Sequence, residues 1–352
     1  MTAQAISDAT PDRRAVGLWL LAVAALVFAM VLLGGTTRLT HSGLSIVEWQ
    51  PVSGVIPPLD QAAWQAEFSH YQQFPEYRDV NAGMTLDQFK AIFWVEYAHR
   101  LLGRVIGLVF ALPFVYFLWV GALERSLAPR LGLILLLGGA QGFLGWFMVE
   151  SGLVRDPAVS HYRLTAHLGL AVILYGAILW TAFDLLRPAR RRDGGAITRR
   201  FAAMLVGLVF LQILAGGLVA GLHAGLIYNT WPLMDGSLAP LGLFTAKPWW
   251  RNPLENIAMV QFDHRMLAYL VLACTLALCW RVVAGPGPAA GARRAAALLL
   301  LAVLGQVALG IATLLLVVPV PLAVVHQAGA LVVFTAALWL CHGLRQSRRV
   351  AT

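Results

Sequence analysis

The sequence predicts an all-α polytopic membrane protein, with eight transmembrane helices packed as two pseudo-symmetric four-helix bundles. Three observations carry that expectation. Of the 352 residues, 59% are hydrophobic and only 12% are charged, whereas about 25% of a soluble domain is charged. The apolar residues fall in runs of roughly 20, the length needed to cross a bilayer as a helix. Polar motifs then recur in the same order in both halves of the chain, as parallel repeats about an axis along the membrane normal require. The net charge of +9 does not imply a nucleic-acid partner, because the arginines gather in short loops where they set topology.

Residues 1–15 form a polar tail with Arg13-Arg14 near its end, which is expected to stay in the cytoplasm. The first span runs from about Val16 to Thr37 and ends in Gly34-Gly35-Thr36-Thr37-Arg38. It lacks an obvious small-residue cleavage site and is read as a retained span. Residues 38–91 carry Pro51, Pro57, Pro58 and Pro75 among Trp49, Trp64 and Phe68. They are too polar to span, and short amphipathic helices on the outer membrane surface are expected, for instance over Asp60–Tyr71. The second span covers about Ile92 to Leu123, the third Leu131 to Val149 and the fourth His161 to Leu186. Residues 187–200 are a strongly basic cytoplasmic linker. The fifth span, about Phe201 to Leu222, leads into a loop holding Asn229-Thr230-Trp231-Pro232-Leu233-Met234. The sixth covers about Ile257 to Val283, the seventh Ala295 to Val318, and the eighth ends near His342, before a tail over 344–352. All five basic clusters then lie on one side, with both termini in the cytoplasm. The halves are residues 16–186 and 201–343.

The repeat is visible residue by residue. His41 and His223 each stand six residues after the second glycine of Gly34-Gly35 and Gly216-Gly217. His99 pairs with His264, His167 with His326, and Gln141-x-x-x-Gly145 with Gln306-x-x-x-Gly310. Small residues such as Gly138, Gly139, Gly142 and Gly145 are expected to let helices approach closely. Cys274, Cys279 and Cys341 lie in or at the ends of apolar runs, and no disulfide framework is expected from them.

His99, His167, His264 and His326 each follow the outer start of a span by several residues, so all four are expected at one depth. A single intramembrane histidine often makes only an interhelical hydrogen bond. Two matched pairs suit bis-imidazole ligation of haem from facing helices of a bundle, with all four as axial ligands of haem iron. Zinc would want more N, S or O donors in one shell. Arg38, Arg100, Arg104 and Arg265 either meet haem propionates or snorkel to the interface. His41 and His223 either serve the haem edges or hold a loop, and His70, His161 and His342 have no repeat partner.

Glu96 stands one turn before His99, and Gln261 takes its place before His264. An i+4 pairing with Arg100 is the structural alternative. A carboxylate kept in one half only favours chemistry in the N-terminal half and electron supply in the C-terminal half.

Taken together, several motifs resemble the heme A synthase family across nearly the whole chain. They are Gly34-Gly35-Thr36-Thr37-Arg38-Leu39-Thr40, Ser42-Gly43-Leu44-Ser45-Ile46-Val47-Glu48-Trp49, Pro57-Pro58, Glu96-x-x-His99-Arg100, Tyr162-Arg163-x-x-x-His167, Asn229 to Met234, and His264-Arg265. The resemblance implies oxidation of the C8 methyl of haem O to a formyl group, giving haem A for cytochrome oxidase. It implies His99 and His167 for the haem O or haem A site, Glu96 as its catalytic group, and His264 and His326 for a haem b cofactor. It also implies a bacterial inner membrane setting, with the haem O synthase and cytochrome oxidase assembly components as partners. The electron donor and any homo-oligomer are left open. The first outer loop lacks the cysteine pair of some bacterial members, which resembles the mitochondrial-type and proteobacterial branch. A di-haem b-type electron carrier is the alternative, disfavoured because both pairs lie near one face. A transporter built on parallel repeats is disfavoured by the lack of interrupted helices.

Overall fold

A computed structural model describes residues 12–50, 53–154, 159–187, 195–285 and 290–345, with side chains omitted for 151–154. Eleven α-helices are present among them: α1 Arg13–Leu39, α2 Gln61–Tyr71, α3 Pro75–Asp79, α4 Leu86–Trp119, α5 Leu127–Val154, α6 His161–Leu186, α7 Ala196–Gly221, α8 Asn252–Glu255, α9 Ile257–Ala284, α10 Ala290–Leu315 and α11 Val320–Leu344. Eight of these, all but α2, α3 and α8, are long and apolar enough to cross a membrane. The expected spans are all found, mostly a turn or so longer at one end. Much of the basic linker, including Arg190 to Arg192, lies outside the described residues, as do Pro51 and the tail beyond Arg345.

By contact the described residues divide into two units, those within 1–12 and 22–174, and those within 13–21 and 175–352. In the first unit α4 meets α1 where Gly103 faces Met30, α5 meets α4 where Gly132 faces Phe114, and α5 meets α6 where Gly145 faces His167. In the second unit α7, α9, α10 and α11 close a ring, each packed on two of the others.

The first outer loop corrects one expectation. A helix does form over Gln61–Tyr71, with the Asp60 carboxylate accepting from Ala63 N–H at its start. Its apolar face is not laid on a membrane surface. Trp64, Phe68 and Tyr71, spaced by four and three residues, are buried against Phe89 and Phe93 of α4. That cover exists because α4 starts early, at a Thr85/Gln88 capping box, and projects nearly two turns beyond the expected start near Ile92. Aromatic pairs at 4.9–5.2 Å between ring centres tie the loop to α4.

A second correction concerns the glycines of α5. Gly138, Gly139 and Gly142 are exposed, and a Cβ added to any of them would meet nothing within 4 Å. Only Gly145 is a close-approach position, and what approaches it is a histidine ring.

Candidate functional site

The four span histidines are placed by one rule. His167, His264 and His326 lie just under two turns into α6, α9 and α11, and His99 lies deeper along α4 only because α4 begins early. Each ring presses on a glycine of the preceding spanning helix. A Cβ added at Gly34 of α1 would sit 3.0 Å from His99 Cε1, and one at Gly145 of α5 would sit 3.0 Å from His167 Cε1. For Gly216 of α7 and His264 the distance is 3.2 Å, and for Gly310 of α10 and His326 it is 2.8 Å. Contacts tighter than 3.4 Å force a neighbour to give way, so each imidazole lies where only glycine leaves room. The rings of each pair are within electrostatic reach of each other, His99 with His167 and His264 with His326.

Glutamine amides hold three of these histidines from the same neighbouring helix. The Nε2 of Gln141, Gln212 and Gln306 donates to the backbone carbonyl of His167 (3.0 Å), His264 (3.1 Å) and His326 (2.9 Å) respectively. Each glutamine stands four residues before the cradling glycine, one turn away on the same face. Gly329 leaves room for the Gln306 amide, which a Cβ there would strike. The sequence reading paired Gln141 with Gln306 but missed Gln212, although Gln212-x-x-x-Gly216 was there to be found. In the remaining case, four residues before Gly34, stands Met30.

Above the first pair, Glu96 is buried and fully engaged. Its Oε2 accepts from Ser45 Oγ at 2.7 Å and Ile46 N–H at 2.8 Å, and its Oε1 accepts from Arg100 Nε at 2.9 Å and Nη2 at 2.6 Å. Arg100 then reaches on to the carbonyls of Ile46 and Glu48. The second half repeats this strap with opposite polarity. The Gln261 amide donates to the carbonyls of Ala224 (2.9 Å) and Ile227 (2.6 Å), while Arg265 grips the carbonyls of Tyr228 and Thr230. The first loop offers donors, which a carboxylate satisfies; the second offers acceptors, which an amide satisfies. The exchange of glutamate for glutamine thus has a structural explanation as well as a chemical one.

Arg100, Arg104 and Arg265 donate to loop carbonyls, Arg104 to that of Gln50 at 2.7 Å. Arg38 is the neighbour of His41, and burial, reinforced by Arg38, holds that imidazole below its ordinary pKa. His41 and His223 both adopt the left-handed region, with φ of 50° and 53°, at the ends of α1 and α7. Glycine is usual there, so both positions carry backbone strain. Asn229 ties its loop to the end of α10 through the carbonyl of Leu314, and Trp231 donates to the Tyr269 hydroxyl. His70 lies 3.6 Å from Glu48, and His161 packs on Tyr162. His342 is buried at 2.9 Å from Asp184, which also pairs with Arg345.

The residues fit haem. Each pair offers two imidazoles and no third ligand, since the described residues include no group of three His, Cys, Asp or Glu able to hold a metal ion. A porphyrin brings its own four nitrogens and needs only two axial ligands, whereas zinc draws three or four from protein. Both His167 and His326 keep a buried Nδ1 without a hydrogen-bond partner among the described residues, as do the Oε1 atoms of Gln141, Gln212 and Gln306. Buried polar atoms without partners are uncommon in a closed core.

Fold and site together define a polytopic membrane protein with two histidine pairs built on one plan. Comparison with known proteins places it more narrowly. Residues 17–338 match the COX15-CtaA family model, described as cytochrome oxidase assembly protein, and the chain belongs to that family. Proteins named heme A synthase are similar over nearly the whole chain. That of Nitrosospira multiformis is 53% identical over 337 residues, covering 95% of this chain and 94% of its own. That of Parvibaculum lavamentivorans is 51% identical over 341 residues, covering 97% of each.

Proposed function

We propose that this protein is a heme A synthase, a membrane oxidoreductase that converts haem O to haem A by oxidising the C8 methyl of the porphyrin to a formyl group. The observation that carries the proposal is the pair of glycine-cradled bis-histidine pockets in a chain whose relatives bear that name. His99 and His167 would hold haem O and release haem A, while His264 and His326 would hold a haem b cofactor as axial ligands. The bound haem iron supplies the redox chemistry. The chain supplies two fixed imidazoles per pocket, water-excluding apolar helices, and an outer loop strapped over the histidine end of each pocket.

Glu96 is the acid/base group of this proposal, being the one carboxylate a turn from a substrate-site histidine. Each of its oxygens is already hydrogen-bonded, so proton uptake there requires Ser45 or Arg100 to let go. The halves act as two pseudo-symmetric bundles, residues 16–186 for substrate and 201–343 for haem b. The protein would sit in the inner membrane with both termini cytoplasmic, receiving haem O from the haem O synthase and serving cytochrome oxidase assembly.

Extraction of pigments from the purified protein, with haems separated by mass, tests the assignment. Haem b together with haem O, haem A or a hydroxylated intermediate is expected. Haem b alone in both pockets would refute the synthase and favour a di-haem electron carrier.

A further inference from the structure

We propose that Asn229 is the positioning residue of the second pocket. Its amide clasps the helix pair that carries His264 to the pair that carries His326, and so holds the two imidazoles at the separation one iron needs. The inference rests on the reading that His264 and His326 hold haem b.

Within each pair the helices are already joined: Gln212 of α7 holds α9 at His264, and Gln306 of α10 holds α11 at His326. A different contact joins the two pairs at their outer end. The Asn229 amide donates both of its protons, one to the carbonyl of Gly225 in its own loop at 2.8 Å and one to the carbonyl of Leu314 at the end of α10 at 2.9 Å. Its backbone is held on both sides, because Arg265 grips the carbonyls of Tyr228 and Thr230, while the Gln261 amide holds those of Ala224 and Ile227. Arg265 directly follows His264, and Leu314 lies one turn outward from Gly310, against which the His326 ring is packed. A short strut of hydrogen bonds therefore runs from the helix of one histidine to the cradle of the other.

The turn that receives this strut is strained. Val317 and Val318, between α10 and α11, adopt φ of 59° and 57°, where a β-branched residue is an outlier. Such a conformation persists only where its surroundings over-determine it. Here Val318 N–H donates to the carbonyl of Thr313 at 2.8 Å, and its side chain lies against Gly225, where an added Cβ would come within 3.1 Å. Asn229 thus holds a turn that would otherwise relax, and with it the outer start of α11, less than two turns from His326. In the first half Val47 stands at the matching place, between Ile46 and Glu48, whose carbonyls Arg100 holds, and it is buried among aromatic rings instead. The clasp belongs to the pocket read as holding a resident cofactor, and this position offers none to the pocket whose haem must enter and leave.

Haem transfer from the full-length, haem-loaded protein in nanodiscs to apomyoglobin, read together with the spin state of the haem that remains, tests this. The second-pocket haem is assigned by its loss in His264→Ala. Asn229→Leu keeps the bulk and removes both donors. It should speed release of that haem by about tenfold, the worth of one net hydrogen bond, and give it a high-spin fraction, while the His99–His167 haem is unchanged. Adding Val318→Gly, which removes the strain, should restore much of the low-spin spectrum, and Asn229→Ser, with one donor left, should fall between. Wild-type release and spectrum in Asn229→Leu, equal weakening of both haems, absence of rescue by Val318→Gly, or failure of every Asn229 variant to fold would each overturn the clasp. Unchanged haem content in His264→Ala would instead sink the haem b reading itself.

Discussion

Replacing Gly310 by alanine should selectively disable the His264–His326 pocket. The added Cβ would lie 2.8 Å from His326 Cε1, where ordinary contact begins at 3.4 Å. The ring must therefore retreat by roughly 0.6 Å or α10 must move, and overpacking of this kind costs about 1–3 kcal/mol. If the strain falls on the ligand, haem affinity at that site drops between about fivefold and 150-fold. The assay is haem content per protein after purification through a fixed dilution series, with the visible spectrum of what remains. Gly305→Ala on the same helix is the control, because a Cβ there meets nothing within 4 Å, and alanine only improves helix propensity. Full haem retention with an unaltered spectrum in Gly310→Ala would refute the cradle argument. Equal losses in both variants would refute it too, by showing that any bulk on α10 is harmful.

Further tests address the straps and the buried carboxylates. Glu96→Gln places an amide N–H₂ against the Ser45 hydroxyl and Ile46 N–H or against Arg100, so thermal stability should fall by about 1–3 kcal/mol and haem A formation should fail; full haem A output would remove Glu96 from the chemistry. The mirror change, Gln261→Glu, sets a carboxylate against the carbonyls of Ala224 and Ile227 and should destabilise by a similar amount without altering the first pocket's spectrum. Burial, reinforced by Glu96, pushes Glu76 up to about 8 despite the Tyr71 hydroxyl nearby. Since the folded state then binds the proton more tightly than the unfolded one, its stabilising contribution is present below about pH 4.3 and is lost as pH rises towards 8. Proteolysis of the loop over 60–85 should accelerate across that window and become flat in Glu76→Gln; an unchanged pH profile in the variant would refute the assignment. Asp184→Asn removes the shared partner of His342 and Arg345, and a loss of about 1–2 kcal/mol in the melting transition is expected for this partly exposed group.

Much of the fold and part of the site were legible in the residues. Runs of apolar residues placed all eight spans, because a spanning helix must satisfy its backbone internally and present hydrocarbon outward over a fixed length. His99, His167, His264 and His326 stood out because ionisable residues are rare in such runs and these recur in pairs. The glycine cradles were half visible, as Gly34, Gly216 and Gly310 were noted without their purpose and Gly145 only as a site of helix approach. Gln212 and Met30 were not, since one polar residue or one methionine in an apolar helix carries no signal until its neighbour is known.

What the sequence determined by itself was therefore one-dimensional: span number, repeat order and the residue types able to bind metal, all set by local hydropathy and spacing. What only the tertiary structure decided was who meets whom. The face of α2 bearing Trp64, Phe68 and Tyr71 looks equally ready for lipid or for protein, and the early start of α4 settled it in favour of protein. Arg100, Arg104 and Arg265 read in sequence only as charges near the outer surface, and the folded chain alone shows the loop carbonyls to which they donate. The physical reason is that hydrophobic burial is non-directional and readable from composition, whereas hydrogen bonds demand a particular partner at about 2.9 Å, which only the folded chain supplies.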